Sequence, residues 1–211
     1  MDPVGGSLCG VILAAGASSR LGEPKALARI GKNRVIDRIR STLAQVLDEA
    51  TPAKPSVMVV TGAHHEEIQR HLTALKAAEE VLFNRRWASG RTGSVQAAAL
   101  ARPGRALLIW PADVPLVAQA TLLRLVSEWN ALGQPAEGWL APQDTASGSF
   151  GHPIIMGASL ALWSLQLAAS DPLRAVRAHA TALHAVAVND PSILDDLDTP
   201  SDLAKLRSRV Q

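Results

Sequence analysis

Ile12-Leu13-Ala14-Ala15-Gly16-Ala17-Ser18-Ser19-Arg20-Leu21-Gly22-Glu23-Pro24-Lys25 is the stretch on which the fold turns. An apolar run, Val11 to Leu13, enters a loop of small residues that carries two fixed cations. Small residues let backbone N–H groups approach an anion closely, and Arg20 and Lys25 add positive charge for a polyphosphate. This is not a Walker loop, because Gly22 is followed by Glu23 and no Gly-Lys-Ser/Thr occurs. Nor is it a dinucleotide fingerprint, which needs Gly-x-Gly-x-x-Gly. The plain alternative is a glycine turn joining a strand to a helix.

Working outward, short apolar runs alternate with amphipathic ones. Strands are predicted at residues 9–13, 57–61, 81–84, 106–110, 139–141, 154–156 and 182–188. Helices are predicted at 35–47, 66–77, 94–101, 121–132, 158–167 and 173–179. In the first, Val35, Ile36, Ile39, Leu43, Val46 and Leu47 share one face; in the second, Ile68, Leu72 and Leu75 form the stripe. Residues 51–55 break the pattern between them. Thr199 caps a last helix, with Pro200 in its first turn and Asp202 complementing the dipole. The pattern predicts an α/β fold: a mostly parallel, doubly wound, Rossmann-like sheet covered on both faces. A single domain over residues 1–211 is expected, with residues 1–8 as a flexible N-terminus. Such sheets bind ligands beyond the carboxyl ends of their strands. The opening loop and Asp113 both fall on that edge.

Composition excludes other classes. Hydrophobic residues make up 47% and charged residues 19% of 211, so disorder is not expected. The net charge is only +2, with cations scattered rather than massed, so nucleic acid is not the partner. Cys9 stands alone, which rules out an intrachain disulfide and a cysteine metal cluster and fits a reducing compartment. Residues 1–7 lack the basic region of a signal peptide, and no apolar run reaches the ~18 residues of a membrane span. A cytoplasmic protein with no membrane contact is expected.

Four further stretches carry chemistry. In Pro111-Ala112-Asp113-Val114-Pro115-Leu116 a carboxylate follows a buried strand and is held by prolines, which suits Mg²⁺; read alone, it is also a capping residue in a turn. In Asp195-Asp196-Leu197-Asp198-Thr199-Pro200 three acids repel one another, a cost a cation would relieve, unless the loop is simply solvated. Gly151-His152-Pro153 offers an imidazole in a turn. Residues 84–95 hold Gly90, Arg91 and Ser94, with Arg91 facing either phosphate or water, and Trp87 assigned to packing. His64-His65-Glu66-Glu67 is read as a surface helix start, because adjacent histidines do not face one way and no His-x-x-x-His supports zinc.

The string from Leu13 to Lys25 resembles the signature loop of the MobA-like NTP transferases. These nucleotidyltransferases make molybdenum-cofactor dinucleotides and belong to a wider group that activates sugar phosphates. Ala14-Ala15-Gly16, Pro24-Lys25 and Gly151-His152-Pro153 are nearer the molybdopterin cytidylyltransferase branch. The resemblance implies a single domain of the nucleotide-diphospho-sugar transferase type. It implies nucleotide binding by Leu13, Ala14, Ala15, Gly16, Arg20, Lys25, Gly62 and Ser94, with Arg20, Lys25 and Asp113 catalytic. Acceptor binding falls to Gly151, His152 and Pro153. Mg²⁺ or Mn²⁺ would be held by Asp113 and Asp198, with Asp196 as the second choice for the latter. Three positions depart from the family pattern: Ala112, Gly93 where a serine is common, and Phe150 where a polar or basic residue is expected. The implied reaction moves a nucleoside monophosphate from an NTP, with CTP favoured, to the terminal phosphate of molybdopterin and releases pyrophosphate. A molybdoenzyme or its chaperone is the implied protein partner. Guanylyl transfer, sugar-phosphate nucleotidyl transfer and non-catalytic nucleotide or cofactor binding are the competing readings.

Overall fold

In the computed structural model, which describes residues 8–50, 56–76 and 80–210, the apolar run before the loop forms β1 (Cys9–Ala14), buried along its whole length. Alternate side chains enter different cores: Ile12 packs on one face, Val11 and Leu13 on the other. The remaining strands are β2 (Arg29–Ile30), β3 (Asn33–Arg34), β4 (Val57–Thr61), β5 (Glu80–Phe83), β6 (Leu107–Pro111), β7 (Gly138–Asp144), β8 (Ile154–Met156) and β9 (Ala182–Val188). The helices are α1 (Val35–Ala50), α2 (His65–Ala74), α3 (Arg91–Ala101), α4 (Gln119–Ala131), α5 (Ala158–Trp163), α6 (Arg174–Arg177) and α7 (Pro200–Ser208).

Seven strands form one sheet in the order β5-β4-β1-β6-β8-β7-β9. β5, β4, β1 and β6 run parallel, as do β7 and β9; β8 is antiparallel to both β6 and β7. One face is covered by α1, α2, α4 and α7, through residues such as Ile39, Ile68, Leu125 and Leu203. The other face is covered by α3, α5 and α6, through Val95, Leu160 and Val176. The chain winds outward from β1 to β4 and β5, then crosses back to β6 on the far side of β1. The order therefore reverses between β1 and β6, and a crevice opens at their carboxyl ends.

Some expectations needed correction. Leu75 does not join the α2 stripe: the helix ends at Ala74, Lys76 turns at φ 51°, and Leu75 is left 48% exposed. The helix predicted at 158–167 breaks into α5 and a separate 3₁₀ turn at Ser164–Gln166, and the one at 173–179 shrinks to α6. The antiparallel β2–β3 hairpin was not expected; its two-residue strands are too short to show a period. Within the N-terminus expected to be flexible, residues 1–7 lie outside the described residues, whereas Leu8 is buried. The break at 51–55 and the end of the helix at residue 77 also lie outside them.

Candidate active site

Leu13 of β1 and Pro111 of β6 are register partners, and the Ala112 N–H donates to the Leu13 carbonyl at 3.0 Å. The opening loop and Asp113 therefore leave neighbouring strands side by side. The loop is held from several directions. Ser18, at φ 54°, accepts the Lys25 N–H on its Oγ at 3.0 Å. Ala63 N–H donates to the Ala15 carbonyl at 3.1 Å, and His64 Nε2 lies 2.9 Å from the Ala17 carbonyl. Gly62 lets this approach occur: a Cβ there would stand 2.4 Å from the Ala15 oxygen and 2.5 Å from Trp87 Cβ. Gly62 itself is not part of the cleft wall; it is behind the loop.

The cleft beyond β1 is walled by Leu13, Ala14, Ala15, Gly16, Lys25, Ser94 and Asp113. Buried Ser94 accepts a hydrogen bond from Asn84 Nδ2 at 3.0 Å, which joins the 84–95 segment into one unit. His64 and Trp87 also line this cleft. Sequence reasoning left His64 on the surface and Trp87 in packing. Their place just past β4 and β5, at the carboxyl edge of the sheet, is the signal that points to the cleft.

An adjoining pocket gathers Arg20, Lys25, Arg91, Asp113, Asp196 and Asp198 with Gly151 and His152. The two acidic segments are tied by main chain: Leu197 N–H donates to the Asp113 carbonyl at 2.6 Å. The α7 capping box fixes the chain just after Asp198, with Thr199 and Asp202 bonding reciprocally. Asp198 is paired with Arg20 Nη2 at 2.7 Å and with Lys25 Nζ, whose hydrogen bond holds its carboxyl below the usual carboxylate range. Arg91 Nη2 donates to Asp113 Oδ2 at 3.0 Å, while Asp113 Oδ1 is buried and meets no hydrogen-bond donor among the described residues. Asp196 is exposed as a residue, yet desolvation of its carboxyl, then the charges of Asp113 and Asp198, push its pKa up.

These donors fit a hard divalent cation. Three carboxylates line one pocket, and one of them presents a buried oxygen without a partner. Among the described residues no three acidic, histidine or cysteine side chains are grouped to hold a metal ion by themselves.

Gly151 and His152 are locked against residue 193. His152 N–H donates to the Ile193 carbonyl at 3.0 Å, and a Cβ on Gly151 would fall 2.3 Å from that oxygen. Burial, then the Arg91 charge, pushes the His152 imidazole down to about 4, so it is neutral at pH 7; its Nδ1 is buried without a partner. Pro153 is buried behind these two and lies outside the pocket wall.

Residues 10–186 match the family model of the MobA-like NTP transferase domain. The bifunctional protein GlmU of Gluconobacter oxydans is 32% identical over 123 residues, 56% of this chain and 24% of that protein. The chain thus spans about a quarter of that relative's length. A nucleotidyl transferase from Methanothermobacter, Mth528, aligns with a TM-score of 0.75 at 23% identity, over 98% of both chains. Rv0371c of Mycobacterium tuberculosis H37Rv, in a complex with manganese, aligns with a TM-score of 0.68 at 20% identity, over 97% of this chain and 100% of that one. At these identities the two structures establish a shared fold.

Proposed function

This chain belongs to the MobA-like NTP transferase family, and from that premise we propose that it is a cytidylyltransferase acting on the terminal phosphate of molybdopterin. The observation that carries the reading is the meeting of Arg20 and Lys25 with Asp113, Asp196 and Asp198 in one pocket, beside a cleft of small residues. Pure nucleotide storage does not need that full charge set. The cytidylyl preference is supported by Ala14-Ala15-Gly16, Pro24-Lys25 and Gly151-His152-Pro153 together.

In the proposed reaction an acceptor phosphate oxygen attacks the α-phosphorus of CTP in line and pyrophosphate departs. No covalent enzyme intermediate is required. The protein must bring together two anions that repel each other and neutralise charge in the transition state. Backbone at Ala14–Gly16 takes the nucleoside. Arg20 and Lys25 leave Asp198 to hold the triphosphate and the departing pyrophosphate. Arg91, at the junction of cleft and pocket, meets the acceptor phosphate. Neutral His152 keeps its N–H donor role without adding charge that would hold product. A divalent ion held by Asp113 and Asp198, with Asp196 beside them, supplies positive charge to the transferring phosphate when bound, and manganese in the Rv0371c complex supports a site for such an ion in this fold.

A pyrophosphate-release assay across CTP, GTP, ATP and UTP, with molybdopterin and sugar phosphates as acceptors, tests the reading. Release only with CTP and molybdopterin is the expected result. Preference for GTP moves the chain to the guanylyl branch, and turnover with a sugar phosphate alone replaces the acceptor.

A further inference from the structure

Asn84 follows β5 and is buried. Its N–H donates to the Thr61 carbonyl at 2.9 Å, and its carbonyl accepts the Trp87 N–H at 3.1 Å. Its side chain is held just as firmly. Oδ1 accepts the Arg86 N–H at 3.0 Å, and Nδ2 donates to Ser94 Oγ at 3.0 Å. A backbone N–H can only donate, so the amide atom it meets must be the oxygen. The amide nitrogen is therefore the atom turned to Ser94, and Ser94 Oγ is the acceptor of that bond.

The hydroxyl proton of Ser94 is left to give. A helical serine commonly gives it to a carbonyl three or four residues back. Ser94 makes no such bond, and Asn84 is the one partner of its hydroxyl among the described residues. Its neighbours offer no equivalent donor. Thr92 gives its hydroxyl proton to the Asp171 carbonyl at 2.6 Å, and Gly93 has no side chain. Ser94 lines the cleft assigned to the nucleoside and not the acidic pocket assigned to phosphate, whereas Asn84 lines neither and stands behind Ser94.

We propose that Asn84 is a positioning residue that sets base specificity. By fixing Ser94 as a hydrogen-bond donor, it selects a base with an acceptor at the ring nitrogen of its pairing edge. Cytosine has a lone pair at N3; uracil carries an N–H there, as guanine does at N1. A donor facing a donor leaves both unpaired, which a site built for a hydrogen bond rejects. The assignment rests on the reading of this cleft as the nucleoside site.

CTP and UTP have rings of the same size, so their comparison isolates this polarity. Calorimetric titration of the full chain with Mg²⁺ and no acceptor reads the binding of each. The wild-type protein is expected to bind CTP about tenfold more tightly than UTP. Ser94→Ala removes the donor and should bring the two within about twofold. Asn84→Asp keeps the size of the side chain and, ionised at pH 8, can only accept hydrogen bonds. Ser94 must then donate to it and turn a lone pair to the base, so the preference should reverse to UTP by about threefold or more. The added negative charge weakens both nucleotides alike and cancels in the ratio. Melting temperatures show that the variants fold; should the Asn84→Asp protein not fold, Asn84→Ala frees the hydroxyl and should bring the ratio within about twofold. Equal wild-type affinities for CTP and UTP overturn the proposal. So does an Asn84 variant that weakens both by the same factor, which is what loss of a merely structural contact would do. Selectivity that follows Asn84 in a protein that turns over no acceptor would overturn the transferase reading and leave this one standing.

Discussion

Asp198 holds both cations of the opening loop at once: Arg20 donates to its Oδ2 at 2.7 Å and Lys25 to its Oδ1. The groups that would bind triphosphate are thus neutralised by a carboxylate that would bind metal. Asp198→Asn should free the cations and strengthen CTP binding in a chelator by about threefold or more. Metal-supported turnover should fall in the same variant. Calorimetric titration with and without Mg²⁺ reads both effects, and unchanged metal-free affinity contradicts the exchange.

Arg20→Ala and Lys25→Ala should each lower kcat/KM while leaving the fold intact. Each removes a charge-assisted phosphate contact of about 1.5–3 kcal/mol, or roughly 10- to 150-fold. The side chains are 69% and 18% exposed, so neither is core. Wild-type kinetics in both single variants would remove the loop from the phosphate site.

Asp113 and Asp198 should behave as one unit, since the Leu197 N–H to Asp113 carbonyl bond ties their segments together. Either Asn variant should lose most of the activity, and the double variant little more. Mn²⁺ affinity, read by electron paramagnetic resonance, should drop in both. If Asp198→Asn retains Mn²⁺ and Asp196→Asn loses it, the second ligand is Asp196.

Stability should depend on His152 at mildly acidic pH. Its folded pKa of about 4 is below the ordinary 6.5, so the unfolded chain takes up the proton first. The contribution is complete above pH 6.5 and is lost as pH falls from there to about 4, for a total of about 3 kcal/mol. Urea midpoints across that range should fall less steeply in His152→Gln than in the wild type; parallel curves refute the assignment.

Gly62→Ala should disturb the loop without touching substrate. The added Cβ meets backbone at 2.4 Å, too close for a flexible neighbour to yield. A loss of about 1–3 kcal/mol in stability is expected, together with a raised KM for CTP as Ala15 shifts. An unchanged melting temperature would show that the loop has slack.

Local signals were enough for much of this molecule. The buried run at residues 9–13, the apolar face of α1 and the Thr199–Asp202 cap each rest on residues within a few positions of one another, and so can be read from order alone. The small-residue loop with Arg20 and Lys25 belongs to the same class, because the residues proposed to hold phosphate lie in one continuous stretch. Tertiary structure decided the rest. β8 lies between β6 and β7 and runs antiparallel to both, and its pairing with β6 joins segments distant in sequence. Arg91 is poised on Asp113, Asp196 is crowded by Asp113 and Asp198, and Arg177 covers Phe150 only once the sheet has closed. Charge coupling and stacking depend on separation in space, which falls off within a few ångströms and has no fixed relation to separation along the chain.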